Sequence, residues 1–315
     1  MNRAAAIAAR ILSSRTLWIS LIVVALASTL PLYVSGYILG LLTIAYYFGV
    51  FAMSWDLLFG FAGEVNFGPT FLIGTGAYTA GILDNLYQPP IWLCVAAGAL
   101  AAVLGGVVLA LPALRVRGPY FGLTTLVAVL MLQNFVVVRA GLTGGEIGLT
   151  VPDVITISDA KNYEIALWFM AISGAILYAL SRSPVGLILQ ASGQDAMQAG
   201  ALGFNVTKHK LTAFVISAFF SGLAGALLVF YLGSASVGTF IDITVGVQII
   251  IAAVIGGRRT ILGAVLGAIF IIAMSEALRP VGDLANFIVF AMALFVVLVF
   301  PNGFFGLLTR SKETS

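Results

Sequence analysis

Twelve of the fifteen lysine and arginine residues of this chain sit in alternate gaps of a ladder of apolar runs: Arg3, Arg10, Arg15, Arg115, Arg117, Arg182, Lys208, Lys210, Arg258, Arg259, Arg310 and Lys312. Loops rich in Lys and Arg stay on the cytoplasmic side of a membrane, so this spacing orients a chain that threads a bilayer repeatedly. The intervening gaps hold only Arg139, Lys161 and Arg279, and they collect Asp84, Glu146, Asp153, Asp159, Glu164, Asp242 and Asp283. A miscounted crossing would scramble that partition. Composition agrees. Of the 315 residues 61% are hydrophobic and 9% charged, and the mean hydropathy is +1.11, which leaves a soluble globule too little polar surface to cover itself.

A helix needs about 20 apolar residues to cross the hydrocarbon. That length marks ten runs, at 17–34, 37–60, 69–86, 91–114, 120–138, 163–180, 211–232, 245–255, 261–278 and 284–300. The eighth is short, and either extends back toward Phe240 or does not cross fully. The expected fold is all-α: a polytopic membrane helical bundle of about ten transmembrane helices with both termini cytoplasmic. It divides into an amphipathic cytoplasmic N-terminus (1–16), a single transmembrane domain (17–300) and a cytoplasmic tail (301–315). Within the domain, 139–162 is an external loop and 181–210 a cytoplasmic segment between spans six and seven. Three arginines ahead of an apolar stretch, with Ala25-Leu26-Ala27, also fit a cleaved signal peptide, which would leave the orientation of the rest unchanged.

Several function classes are excluded. The net charge of +3 is dispersed between apolar runs rather than clustered, so no nucleic-acid partner is implied. A single cysteine, Cys94, permits neither an intrachain disulfide nor a thiolate-rich metal site. His209, the only histidine, lies between Lys208 and Lys210 and reads as a solvated basic anchor.

Four stretches ask for more than spanning. Between Phe59 and Pro69 the chain places three glycines, a proline, Glu64 and Asn66 near a membrane boundary. Glycine and proline disfavour a continuous helix, and unwound backbone at membrane depth survives only where protein or a water-filled cavity satisfies it. The stretch is either an ordinary cytoplasmic turn or a discontinuous segment lining a path. Asp56, just upstream, is the most deeply placed carboxylate, and either snorkels to the interface or is paired. Arg115 and Arg117 before Gly118-Pro119 mark a helix start at the cytoplasmic face. The external loop, with Leu142-Thr143-Gly144-Gly145-Glu146-Ile147-Gly148-Leu149, is longer than a connector needs, and either caps the external mouth or meets an external partner.

The fourth stretch, 181–210, is too polar to span and too regular for a loose linker. It reads as one or two short helices across the inner face, with Gly193, Gly200 and Gly203 as breaks. Met197, Ala201, Leu202 and Phe204 offer a surface to a partner, and small residues at Ala196 and Ala199 would permit close approach. The alternative is a surface helix docked on the chain's own membrane domain.

Together, the 60–78 break, Leu114-Arg115-Val116-Arg117-Gly118-Pro119-Tyr120-Phe121-Gly122, the outer Leu142–Leu149 loop, the Asp195–Gly203 stretch running into Phe204-Asn205-Val206, and Val254-Ile255-Gly256-Gly257 with Gly263 resemble the M-type permease subunit of branched-chain amino-acid ABC importers. The resemblance covers roughly 38–307. It implies that 181–210 is the coupling segment that docks into an ATPase, with Gln190, Gly193, Asp195, Ala196, Ala199, Leu202 and Gly203 as the docking positions. The Glu-Ala-Ala pattern usual there is degenerate, so individual contacts are not implied. It also implies a second, H-type permease, two cytoplasmic ATPase subunits, an external substrate-binding protein and residence in the bacterial inner membrane.

No residue pattern here cradles a nucleotide phosphate. The four lysines, Lys161, Lys208, Lys210 and Lys312, follow Ala, Thr, His and Ser rather than the glycine of a phosphate-binding loop. The chain is therefore read as a permease and not an enzyme. It is expected to bind no cofactor itself, ATP and Mg being held by the partner ATPases. The expected cargo is a branched-chain or other hydrophobic amino acid; urea, amides and small aromatic acids are the alternatives within the same importer class. Glu64, Asn66, Thr124, Thr125, Gln133, Asn134 and Gln248 are the polar groups placed near the path. An ion-coupled secondary transporter would instead draw on Asp56, Glu64 or Glu276, and a channel on a self-assembled pore ring. Two glycine-rich cytoplasmic re-entries, at 60–76 and 256–267, hint at internal duplication or at chance similarity.

Overall fold

The computed structural model describes residues 22–114, 119–282, 284–299 and 303. The 1–16 and Arg115/Arg117 expectations, and all of the 301–315 tail but Gly303, lie outside those residues. Helices dominate, because backbone in lipid must satisfy its polar groups within the segment. They are α1 (Ile22–Leu32), α2 (Gly36–Asp56), α3 (Pro69–Tyr87), α4 (Ile91–Ala113), α5 (Pro119–Val138), α6 (Asp159–Ser181), α7 (Pro184–Gln194), α8 (Ala196–Ala201), α9 (Val206–Leu232), α10 (Ile243–Gly256), α11 (Leu262–Ala277) and α12 (Leu284–Val299). A π-helical turn, Leu57–Phe61, continues α2.

Among the described residues, six helices rather than ten are long and apolar enough to cross a membrane: Gly36–Phe61, Ile91–Ala113, Tyr120–Val138, Asp159–Ser181, Val206–Leu232 and Val237–Gly256. The difference has identifiable causes. α3 has the length, but Thr70, Thr75, Thr79, Asp84 and Asn85 dilute its apolar content. It can carry them because α4 and α9 enclose it. α1 and α11 are short. The eighth run does extend back beyond Phe240: a single turn, Val237–Phe240, precedes α10, and the chain kinks at Asp242, whose carboxylate accepts the Thr244 N–H at 2.6 Å.

The centre of the bundle is the α3–α4–α9 crossing, where glycines bring backbones together. A Cβ placed on Gly98 would lie 2.5 Å from the Gly76 carbonyl oxygen, and one on Gly225 would lie 2.5 Å from that of Ile73. α2 packs between α6, α9 and α11, and the Tyr46 and Tyr163 hydroxyls meet at 2.9 Å. Large buried side chains, including Phe51, Phe121, Phe214 and Phe230, fill the remaining space.

The loop between α5 and α6 is folded onto the bundle. Leu149–Thr150 (β1) pairs antiparallel with Ser234–Ala235 (β2), in the register Leu149 to Ala235 and Thr150 to Ser234. Asn85 Nδ2 donates to the Thr150 carbonyl at 2.9 Å, and the Asp84 carboxylate accepts the Asp153 N–H at 3.1 Å. The loop thus sits over the end of α3.

Candidate functional site

The break after α2 is irregular backbone held by buried side-chain bonds. Trp55 Nε1 donates to the Asn66 carbonyl at 2.7 Å, and Asn66 Oδ1 accepts the Gly68 N–H at 2.8 Å. Thr125 Oγ1, on the first turns of α5, accepts the Phe67 N–H at 3.0 Å. Gly68 lies against the Thr125 carbonyl and Gly122 against the Phe67 ring, so a side chain at either would displace the break from α5. Asn66 and Thr125 are both fully buried, and each holds a backbone N–H of the break.

The other residues expected near a path are distributed around this point. Glu64 is ion-paired with Lys210 at the foot of α9, and both side chains are only 16% exposed. Thr124 Oγ1 donates to the Tyr120 carbonyl within α5. Gln133 Nε2 donates across to the Ile241 carbonyl at 3.1 Å, tying α5 to the kink before α10, where Gln248 is half-buried. Asn134 Nδ2 donates back to Leu130, and its residue stays exposed. The structure therefore sets Asn66 and Thr125 on the same break, bonded to Gly68 and Phe67 respectively, gives Glu64 to Lys210, and sets Asn134 on the outward face of α5.

Asp56 is the site residue whose partners the sequence did not reveal. Its side chain is fully buried, and both carboxylate oxygens are occupied: Oδ1 accepts the Arg259 N–H and Oδ2 the Ile261 N–H, each at 3.0 Å. Arg259 Nε returns a bond to the Gly60 carbonyl at 2.8 Å, and the Arg258 guanidinium stands 4.6 Å over the Phe59 ring. A carboxylate at the end of an apolar run was visible in the sequence. Its partners, about two hundred positions away, were not. The two glycine-rich re-entries are thus in direct contact.

Residues 181–210 form two helices before α9, as one of the sequence alternatives had it, with the expected break at Gly203 but not those at Gly193 and Gly200. Gly193 and Gly200 lie inside α7 and α8. The chain turns instead at Asp195, whose carboxylate accepts the Met197 and Gln198 N–H groups at 2.9 Å, and at Gly203, where φ is +89°. Short acidic side chains are favoured N-caps for this reason. Asn205 then caps α9 by accepting the Lys208 N–H at 3.0 Å.

Of the seven residues expected to dock a partner, Ala196, Leu202 and Gly203 are exposed, Gln190 and Asp195 are half-buried, and Ala199 is buried. Gly193 faces the chain's own break: a Cβ there would lie 2.5 Å from the Phe61 carbonyl oxygen. Met197 is 84% exposed and Leu202 76%, so each turns a large apolar side chain outward.

Residues 37–299 match the family described as branched-chain amino acid transport system / permease component. The chain belongs to that family. Among its relatives in the family, it is 24% identical over 312 residues to the high-affinity branched-chain amino acid transport system permease protein LivM of Escherichia coli, covering 88% of this chain and 72% of that one. LivM of Salmonella typhimurium is 24% identical over 318 residues, covering 90% and 73%. The permease protein LivH of Escherichia coli is 26% identical over 288 residues, covering 82% of this chain and 91% of LivH. The resemblance drawn from the motifs is borne out, and the relatives are transport permeases rather than enzymes.

Proposed function

We propose that this chain is the M-type permease subunit of an ATP-driven importer in a bacterial inner membrane, forming with an H-type permease the path for branched-chain or other hydrophobic amino acids. An external binding protein delivers the substrate, and two ATPase subunits grip the 181–210 segment from inside. The chain crosses ten times with both termini cytoplasmic. Contacts between distant parts of the chain fit that threading: Glu64 meets Lys210 and Asp56 meets Arg259 on one side, while β1 meets β2 and Tyr37 meets Glu276 on the other.

The observation that supports the motor's docking site is the outward exposure of Met197 and Leu202 on a segment otherwise capped and anchored. Exposed large apolar side chains on a short polar segment favour a partner that covers them. The second permease is supported by α5, of which only 33% of the apolar window is buried and whose outward face carries Asn134. An amide facing lipid is costly, whereas helix interfaces in membranes use such groups. Secondary transport loses support because its three candidate carboxylates are engaged. Asp56 is bonded to backbone, Glu64 to Lys210, and Glu276 to Tyr37 and Arg279.

Proteoliposomes holding the assembled complex are expected to take up leucine only with ATP on the ATPase side, and to prefer it to urea, amides or benzoate. Gly203 supplies a test of coupling. At φ +89° a β-branched residue is strained by about 1–3 kcal/mol, although nothing within 4 Å would clash. Gly203→Val is therefore expected to keep ATP hydrolysis and lose most of the uptake it drives. Uptake indifferent to ATP would overturn the importer assignment.

A further inference from the structure

The π-helical turn Leu57–Phe61 and the two residues after it are held on two sides by parts of the chain that do not otherwise adjoin in sequence. On one side lies the end of α7. A Cβ on Gly193 would fall 2.5 Å from the Phe61 carbonyl oxygen and 2.9 Å from the Gly63 nitrogen, and one on Gly63, where φ is +73°, would fall 2.8 Å from the Gly193 carbonyl oxygen. Backbone thus rests on backbone, with no side chain to act as a cushion. Lys210 and Glu64 fasten the same corner to the foot of α9.

On the other side lies the 257–261 connection between α10 and α11, which is strained. Arg259 has φ +67° and Ile261 has φ +47° with ψ −66°. Leu262 N–H bonds to the Thr260 carbonyl across Ile261, closing a γ-turn of the rare, positive-φ kind. A fully buried β-branched residue in that conformation is a genuine outlier, and it persists only where its surroundings dictate it. Asp56 supplies that constraint by accepting the N–H groups on either side of Thr260, while Arg259 and Arg258 hold Gly60 and Phe59. π-helical turns inside helices often mark functional points.

We propose that residues 57–63 are a transmission joint, seated between the end of the motor-facing helix α7 and the strained turn of the α10–α11 hairpin, and that Asp56 is the positioning residue that carries a displacement of α7 to that hairpin. Packed backbone against backbone has little compliance, so a shift of Gly193 must move Phe61 and Gly63 with it. The π-turn moves as a unit with Asp56, and the carboxylate pulls the two N–H groups that hold the γ-turn. The hairpin, which carries Gln248 beside the proposed path, then moves by a route shorter than the chain through α9 that links it to 181–210. Rigid elements with two discrete packings are the physical means by which such shifts cross a protein.

This inference rests on the importer reading, and the experiment separates the two. In the assembled complex with Cys94→Ser, spin-label pairs are placed at Leu187 and Leu104, and at Leu266 and Leu104, all exposed positions on α7, α4 and α11. Distances are compared without nucleotide and with the ATPases trapped in ATP. Both pairs are expected to shift in the otherwise native chain. In Asp56→Asn the Leu187 shift is expected to remain and the Leu266 shift to be lost. The Arg258→Ala/Arg259→Ala variant, which keeps the carboxylate and its backbone bonds, is expected to diminish the Leu266 shift and serves if Asp56→Asn does not assemble. A Leu266 shift undiminished in the variant that assembles, with Leu187 moving, overturns the joint alone. A Leu187 pair that never moves overturns the importer reading and the joint with it.

Discussion

Gly76→Leu is expected to abolish accumulation of folded protein, the largest effect of any single substitution considered. Gly76 stands where α3, α4 and α9 cross, and a side chain there would run into the Gly222 backbone. Gly98 in turn lies against the Gly76 carbonyl, so neither neighbour can retreat without separating another pair. Overpacking costs about 1–3 kcal/mol where flexible side chains can give, and more where the obstacle is backbone. Association of membrane helices depends on close packing of small residues, since lipid supplies no apolar driving force between helices. Gly141→Leu is the control, because nothing lies within 4 Å of a Cβ at that position. In detergent, size-exclusion profiles are expected to show a single sharp peak for Gly141→Leu and aggregate or no protein for Gly76→Leu. A sharp Gly76→Leu peak with native thermal stability would show that the crossing is looser than described.

Asp56→Ala is expected to give the second largest loss. Two N–H groups would lose their acceptor: the buried one of Ile261, at about 1–3 kcal/mol, and the part-buried one of Arg259, at less. The γ-turn at Ile261 would also lose the group that opposes its strain. Asp56→Asn retains one acceptor oxygen and is expected to be intermediate. Glu64→Gln, at a part-exposed pair, is expected to cost least of the three. Melting temperatures of the purified protein give the ranking directly. Equal values for Asp56→Ala and the native chain would mean that the 257–261 turn holds itself.

How far this was legible in the sequence depended on the range of the interaction. Helix positions followed from apolar runs and from proline and glycine at their ends, so α4, α5 and α9 fall close to their expected limits. The polar character of α3 did not matter to its position, because what it needs is enclosure by α4 and α9 rather than an apolar surface. Local chemistry misled at Gly193 and Gly200. Both were expected as breaks, yet the cap formed by Asp195 decides where the helix turns, and Gly193 is small because backbone lies against it. The role of Asp56 was beyond reach. Whether a carboxylate at a helix end snorkels or is bonded depends on a turn that only the folded chain brings to it.

The most direct test of the account is the accessibility of Met197 in the assembled complex, on a Cys94→Ser background that removes the one native thiol. Met197→Cys is expected to react with a membrane-impermeant maleimide only from the cytoplasmic side, and to be shielded or cross-linked when the ATPase subunits are present. Reaction from the exterior, or reactivity unchanged by the ATPases, would contradict the assignment of 181–210 as the segment through which a separate motor drives this permease.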